Sequence, residues 1–242
     1  MKKCKLFFAC FILMFIVNIS IIAQTNRDII KVSYVTSALS SSMISILQEQ
    51  VPSPEEYKSM VDLISKHKVY HSLYINNKTR ESVFVLDSIH AEPGVMATGN
   101  IDYVYTNEIG IMTGKDDFMK SINTFSDNLS NMEWEICNES KEINGYKCQK
   151  AILKTHPEVS VWFANDIATN KGPGYFQGLI GLIFEADELF SSIYLTKVEF
   201  LDKNFDFSAL AEKYKRELKG KKLSVGEILT LKQNMMKTIK KG

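Results

Sequence analysis

The sequence predicts an α+β protein, mainly β: a strongly curved antiparallel sheet or half-open barrel, with flanking helices and a helical C-terminal tail. Three observations lead there. From Lys68 onward, β-branched and aromatic runs follow one another between turn residues, and short consecutive strands joined by turns pair antiparallel. Two stretches, near 40–66 and from 206 to 242, instead carry apolar residues at helical spacing behind helix-start signals. The chain of 242 residues has an ordinary apolar fraction, 45%, enough for one domain with a real core.

The chain opens with the basic Met1-Lys2-Lys3-Cys4-Lys5, followed by an apolar block from 6 to 17 that ends near Ile21-Ile22-Ala23-Gln24. This is the layout of a secretory signal peptide over residues 1–23, cleaved after Ala23 to leave Gln24 first. A retained membrane anchor is the competing reading. Asn18 and Ser20 interrupt the block, however, and spanning a bilayer takes about 20 apolar residues. Cys10 lies inside the block, behind Phe7-Phe8-Ala9, rather than at its end where a lipidated cysteine belongs. The expected location is exported, in the periplasm or associated with the outer membrane.

Residues 24–205 read as a single antiparallel β-rich domain with the helical insertion near 40–66. A first strand is expected at 29–36. In the insertion, Ser53 is placed to cap a helix, Pro54 to occupy its first turn and Glu56 to close a capping box. Tyr57, Met60, Val61 and Ile64 then share one face, which is expected to pack on the sheet. Strands follow at 69–75, 82–86, 101–106, 133–137, 146–153, 159–164, 179–184 and 193–201, with reversals at Asn76-Asn77, Pro93-Gly94, Gly114 and Asn144-Gly145. The 117–129 stretch is ambiguous and open to a short helix. The tail, 206–242, places Leu210, Tyr214 and Leu218 on one helix face and Gly220 at its stop. Ser224 and Glu227 then form a second capping box ahead of Val225, Ile228, Leu229, Met235, Met236 and Ile239.

Formal net charge is only +1, but it is unevenly spread. From 208 to 242, ten basic residues stand against three acidic ones, so the preceding body is acidic. The tail either docks on that body or meets an anionic surface such as lipid headgroups. Nucleic acid is not an expected partner of an exported protein.

Cys137 and Cys148 follow the leader, and an oxidising compartment would permit a bridge between them. A two-residue turn at Asn144-Gly145 would instead set Cys137 opposite Ile152, leaving the sulfurs about 13 Å apart along the strand. The tight turn and the bridge exclude each other.

No catalytic, cofactor-binding or metal-binding residue is identifiable. His67 and His71 are four apart, as two ligands on a helix would be, but no third ligand lies near in sequence, and they read as surface histidines. Gly172-Pro173-Gly174 lacks the helix and the Lys-Ser/Thr ending of a phosphate loop, and reads as a turn. Gly178 and Gly181 suggest close backbone approach within a strand. Trp134 and Trp162 either fill the core or line a ligand cavity.

The order of Trp134-Glu135-Ile136, Lys141 through Ala151 with Asn144-Gly145 and Cys148, Val161-Trp162-Phe163, Gly172-Pro173 and Gly178-Leu179-Ile180-Gly181-Leu182-Ile183 resembles the GLPGLI family, exported proteins of the Bacteroidota named for that hexapeptide. The resemblance covers mainly 134–185. One position departs from it: Ile180 stands where the family has proline, which removes a backbone restriction. The resemblance implies export and no established activity. A weaker similarity, in shape alone, is to periplasmic lipoprotein carriers. Together these readings lead to the expectation of a non-enzymatic envelope protein that binds an apolar ligand or a partner protein, without cofactor. A structural or assembly factor without a small-molecule site is the alternative, and a hydrolase stands third.

Overall fold

The computed structural model describes residues 28–95, 98–118, 121–202, 204–216 and 218–240. The expected signal peptide, 1–23, with its expected cleavage point at Ala23 and Gln24, lies outside them. Among the described residues, eleven antiparallel strands form one sheet in the order β6-β5-β4-β3-β2-β1-β11-β10-β9-β8-β7. They are β1 Ile29–Ser37, β2 Lys68–Asn76, β3 Glu81–His90, β4 Asn100–Thr106, β5 Ile111–Phe118, β6 Ser121–Asn128, β7 Trp134–Ile143, β8 Tyr146–Leu153, β9 His156–Ala164, β10 Leu182–Asp187 and β11 Ser192–Phe200.

Curvature follows from the connectivity. The two edge strands, β6 and β7, are consecutive in the chain and joined by five residues, 129–133. That connection reaches about 20 Å at full extension. A flat sheet would hold its outer strands about 48 Å apart across ten strand spacings. The sheet must therefore curl until its edges face each other across a seam. It does not close, because β6 and β7 do not pair. Register shifts in β1/β11, β9/β10, β2/β3, β4/β5, β7/β8 and β8/β9 supply the bending.

The concave face gathers Ile30, Val32, Tyr34, Leu73, Phe84, Val104, Phe125, Leu153, Val161, Phe163 and Leu195 into one core. Alternation along β1 sets this up, with Val32 and Tyr34 buried and Lys31, Ser33 and Val35 only partly so. Among the described residues four α-helices surround the sheet. We label them α1 Ser41–Gln50, α2 Pro54–Lys66, α3 Phe207–Tyr214 and α4 Val225–Ile239. Helix α3 lays Phe207 and Ala211 against Val83, Val85, Tyr103 and Tyr105 on the outer face. Helix α4 puts Val225, Ile228 and Leu229 into the main core, and Met236 joins Ile46, Phe118, Leu189 and Phe190 in a third cluster with α1. The two capping signals are present. Ser53 accepts from the Glu56 amide, and Ser224 and Glu227 form the full reciprocal box.

Several local expectations change. The ambiguous 117–129 stretch contains the end of β5 and all of β6, followed by a three-residue 3₁₀ turn, Leu129–Asn131. The strand expected at 179–184 starts only at Leu182, because Gly178 and Gly181 have φ of 99° and 137° and belong to a turn. The Asn144-Gly145 turn forms with φ of 53° and 82°, the signs a type I′ hairpin requires. Yet Ile152 faces Glu135, not Cys137, since the β7/β8 register shifts between Ile136 and Ser140. Cys137 falls in that bulge, where its carbonyl accepts from the Gln149 amide. Among the described residues Cys137 and Cys148 are not bridged.

Candidate functional site

The glycine-rich stretch fills the inside of the sheet. Between β9 and β10 the chain leaves the sheet, and Tyr175, Phe176, Gln177 and Leu179 are buried in the concave face. Tyr34 in β1 donates its hydroxyl to the Ile183 carbonyl at 2.6 Å, and Thr106 in β4 donates to Gln177 Oε1 at 3.2 Å. Trp134 donates from Nε1 to the Gln177 carbonyl at 2.8 Å. The glycines permit this crowding: a Cβ on Gly172 would strike the Phe176 carbonyl, and one on Gly181 the Ala164 carbonyl. Trp134 therefore holds the plug in place rather than lining a chamber. Trp162 points the other way, outward, with Lys141 over its ring at 4.4 Å. Of the residues singled out in the sequence, Gly172, Pro173, Gly178, Leu179 and Gly181 lie in the plug, Leu182 and Ile183 begin β10, and Gly145 lies at the β7/β8 turn. Cys148 is fully buried in the core, and burial pushes its thiol up to about 11.

Ile180 is 85% exposed at the tip of the plug. The Gly181 amide donates to the Leu179 carbonyl around it, a γ-turn centred on Ile180. The positive-φ positions do not include Ile180, so the turn is the inverse kind, with φ near the proline value. A proline would fit at this position as well as the isoleucine does.

A buried ion cluster ties α4 to the plug. Lys232 Nζ lies 2.9 Å from Tyr175 Oη and 3.3 Å from both Asp116 Oδ2 and Glu188 Oε1. All four side chains are essentially inaccessible. Burial by itself would lower the Lys232 pKa, but the two carboxylates outweigh it and hold the ammonium well above its ordinary value. Burial chiefly, countered in part by Lys232, raises the Tyr175 hydroxyl strongly. One ammonium meets two carboxylates, and Asp116 Oδ1 and Glu188 Oε2 have no partner among the described residues. The signal was present in the sequence, since Lys232 falls on the apolar face of α4, three after Leu229 and four before Met236.

The histidines are not the surface pair expected. His71 is enclosed in the sheet, stacked on Phe84 with ring centroids 4.6 Å apart. Its Nε2 must carry the proton, because its partner is the Ile101 carbonyl at 3.0 Å. Burial lowers its pKa to about 4. His67, also buried, accepts the Glu92 amide at Nδ1 at the end of α2. Among the described residues no group of three or more His, Cys, Asp or Glu side chains could hold a metal ion.

A cleft of about 650 Å³ opens at the seam. Met132, Leu153, Leu223, Val225 and Leu229 supply apolar walls; Asp127, Thr155, His156, Ser224, Glu227 and Thr230 add polar groups. A serine, a histidine and carboxylates thus share a cleft, but their bonds lead elsewhere. Ser224 Oγ is engaged with Glu227 in the helix cap at 3.1 Å, and His156 pairs with the hydroxyls of Thr155 and Thr230. A second, smaller pocket of about 220 Å³ lies between α1 and α2, walled by Met43, Leu47, Met60, Leu63, Ile64, Val95 and Phe190.

No protein-family model matches the chain, and no curated protein matches its sequence. Solved structures do. The chain is similar to PNGF-II in its C2 crystal form, with a TM-score of 0.48 and 15% identity over 87% of this chain and 33% of that one. It therefore spans about a third of the length of PNGF-II. It is also similar to an uncharacterized conserved protein from Thermus thermophilus, with a TM-score of 0.37 and 5% identity over 82% and 91% of the two chains. A DUF1329 family protein from Desulfovibrio piger gives 0.30 and 10% over 76% and 92%. At these values no residue role passes from those proteins to this one.

Proposed function

We propose that this protein is a non-enzymatic binding module of the cell envelope, exported by its leader and kin to the GLPGLI family, which holds an apolar ligand in the seam cleft. One observation carries this reading. The sheet interior is filled by the chain's own plug, whereas the seam keeps an open space of about 650 Å³ with apolar walls and a few polar groups, the size and make-up of a small-molecule site. Hydroxyls of Thr155 and Thr230 beside His156 would orient a ligand's polar end. Native mass spectrometry of the protein purified from its own envelope tests the idea. A co-purified lipid-like species that is lost in Gly226→Leu supports it, because a Cβ at Gly226 has room, 3.9 Å from His156, and a longer side chain enters the cleft. A bare protein, or a ligand retained by the variant, removes its basis.

A second reading, docking of a partner protein, draws on α2. None of its residues is buried, and Met60 and Leu63 are 40% and 39% exposed above the smaller apolar pocket. A single envelope protein captured by wild type and lost in a Met60→Ser/Leu63→Ser variant would favour it over the ligand reading.

A further inference from the structure

The segment joining α3 to α4 concentrates positive charge in a chain whose net charge is only +1: residues 213–222 hold six basic side chains and one acidic one, Glu217. It is not a loose tail. The Lys221 carbonyl accepts from Thr124 Oγ1 at 3.1 Å, the Leu223 amide donates to the Thr124 carbonyl, and the Ser126 amide donates to the Leu223 carbonyl, both at 3.0 Å. These bonds staple the segment to the edge of β6. Lys215 turns back toward Glu81 at 3.7 Å, but Lys213, Arg216 and Lys219 face a groove of about 610 Å³ whose opposite wall presents Lys115 of β5. Asp102 is the one acidic side chain that lines it among the described residues. The tilted ring pair Tyr103 and Tyr214, with centroids 5.1 Å apart, lies among these cations. Ile122, 70% exposed, is also part of its lining.

Cations around an exposed aliphatic side chain suit an amphiphilic anionic surface. A soluble anion would use the charges and leave Ile122 idle, whereas a lipid bilayer uses both, phosphates for the cations and the acyl boundary for the isoleucine. We propose that this groove is the face by which the protein docks on a membrane carrying anionic headgroups. The face is separate from the seam cleft and stands without it.

The test is co-sedimentation of the protein, in the form purified from its envelope, with phosphatidylcholine vesicles with and without about one-third phosphatidylglycerol, at low and at physiological salt. Binding should need the anionic lipid and weaken with salt. Each reversal in Lys213→Glu/Arg216→Glu/Lys219→Glu should weaken it about fivefold or more. Ile122→Ser should weaken binding with its salt dependence unchanged, and Lys58→Glu on α2 should leave binding as it is. Circular dichroism should show the variants folded, since the replaced side chains are exposed. Equal binding to phosphatidylcholine alone, no binding, or an unaffected triple variant overturns the proposal. Displacement by millimolar inorganic phosphate also overturns it, because the groove would then be reading a free anion rather than a surface.

Discussion

Helices α2 and α4 carry similar sequence signals, a serine cap, a glutamate three residues on and an apolar stripe, yet the protein uses them in opposite ways. Five residues of α4 are buried, among them Lys232, and none of α2 is. The amphipathic pattern decides which face turns inward, not how deeply it goes. Depth depends on what lies beneath: α4 closes the open end of a curled sheet onto the plug, whereas α2 stands over a small pocket supported by α1 and the segment around Val95.

Lys232→Met tests the contrast most severely. It strands two buried carboxylates, and chemical denaturation should show a loss of about 3–5 kcal/mol. Adding Asp116→Asn and Glu188→Gln should recover most of it. Little loss in the single variant would mean that α4 is held by its apolar contacts alone. Matched truncations come next. Leu229→Ala in α4 should cost about 2–5 kcal/mol and Leu63→Ala in α2 less than about 1 kcal/mol, and equal costs would erase the distinction between the helices.

Acid probes the sheet interior rather than either helix. The His71 pKa is lowered to about 4 in the folded state against 6.5 for the free side chain, so the unfolded chain takes up the proton first. Stability is therefore complete above pH 6.5 and falls as pH drops toward 4, by at most about 3 kcal/mol. Urea midpoints should follow that window and flatten in His71→Gln, whose amide can still reach the Ile101 carbonyl. Lys232 behaves in the reverse sense. Its raised pKa keeps its contribution full at neutral pH, with loss on the alkaline side only at strongly alkaline pH, above its ordinary value of 10.5. The smallest effect is expected at Ile180→Pro, a gain of about 0.4–1 kcal/mol in thermal or urea unfolding, because the inverse γ-turn already has the required φ. A loss there would show that the tip of the plug is held otherwise than its hydrogen bonds indicate.

Much of the sheet could be read from Val, Ile, Tyr and Phe runs between turn residues, and the hairpin from Asn144-Gly145 alone, because both signals are local. The register beside that hairpin could not be read. The shift between Ile136 and Ser140 depends on how β7 bends, and no nearby residue announces it. The plug was missed for a similar reason. Gly178 and Gly181 suggested close backbone approach within a strand; both lie in the turn before it, with tight approach at Gly181 against Ala164 and ordinary contact at Gly178 against Leu129 and Met132, surfaces set by the closure of the sheet. His67 and His71 suit a surface position only while helix spacing is the measure. His71 in fact belongs to a strand whose inward positions are Val69, His71, Leu73 and Ile75.

The order of the strands also bears on how the chain reaches this state. Strands β1 to β6 form one run of neighbours and β7 to β11 another, and a single ladder, β1 with β11, joins them across more than 150 residues. Each run can be completed by local pairing, but the joining ladder pays the entropy of closing a very long loop. The hydroxyl of Tyr34 on β1 reaches the plug at Ile183, so docking of the two halves and sealing of the interior are one event. Until it occurs, β1 and β11 each offer an unpaired apolar edge, and aggregation competes with folding for those edges. The meeting of these two strands is therefore the expected slow step of folding.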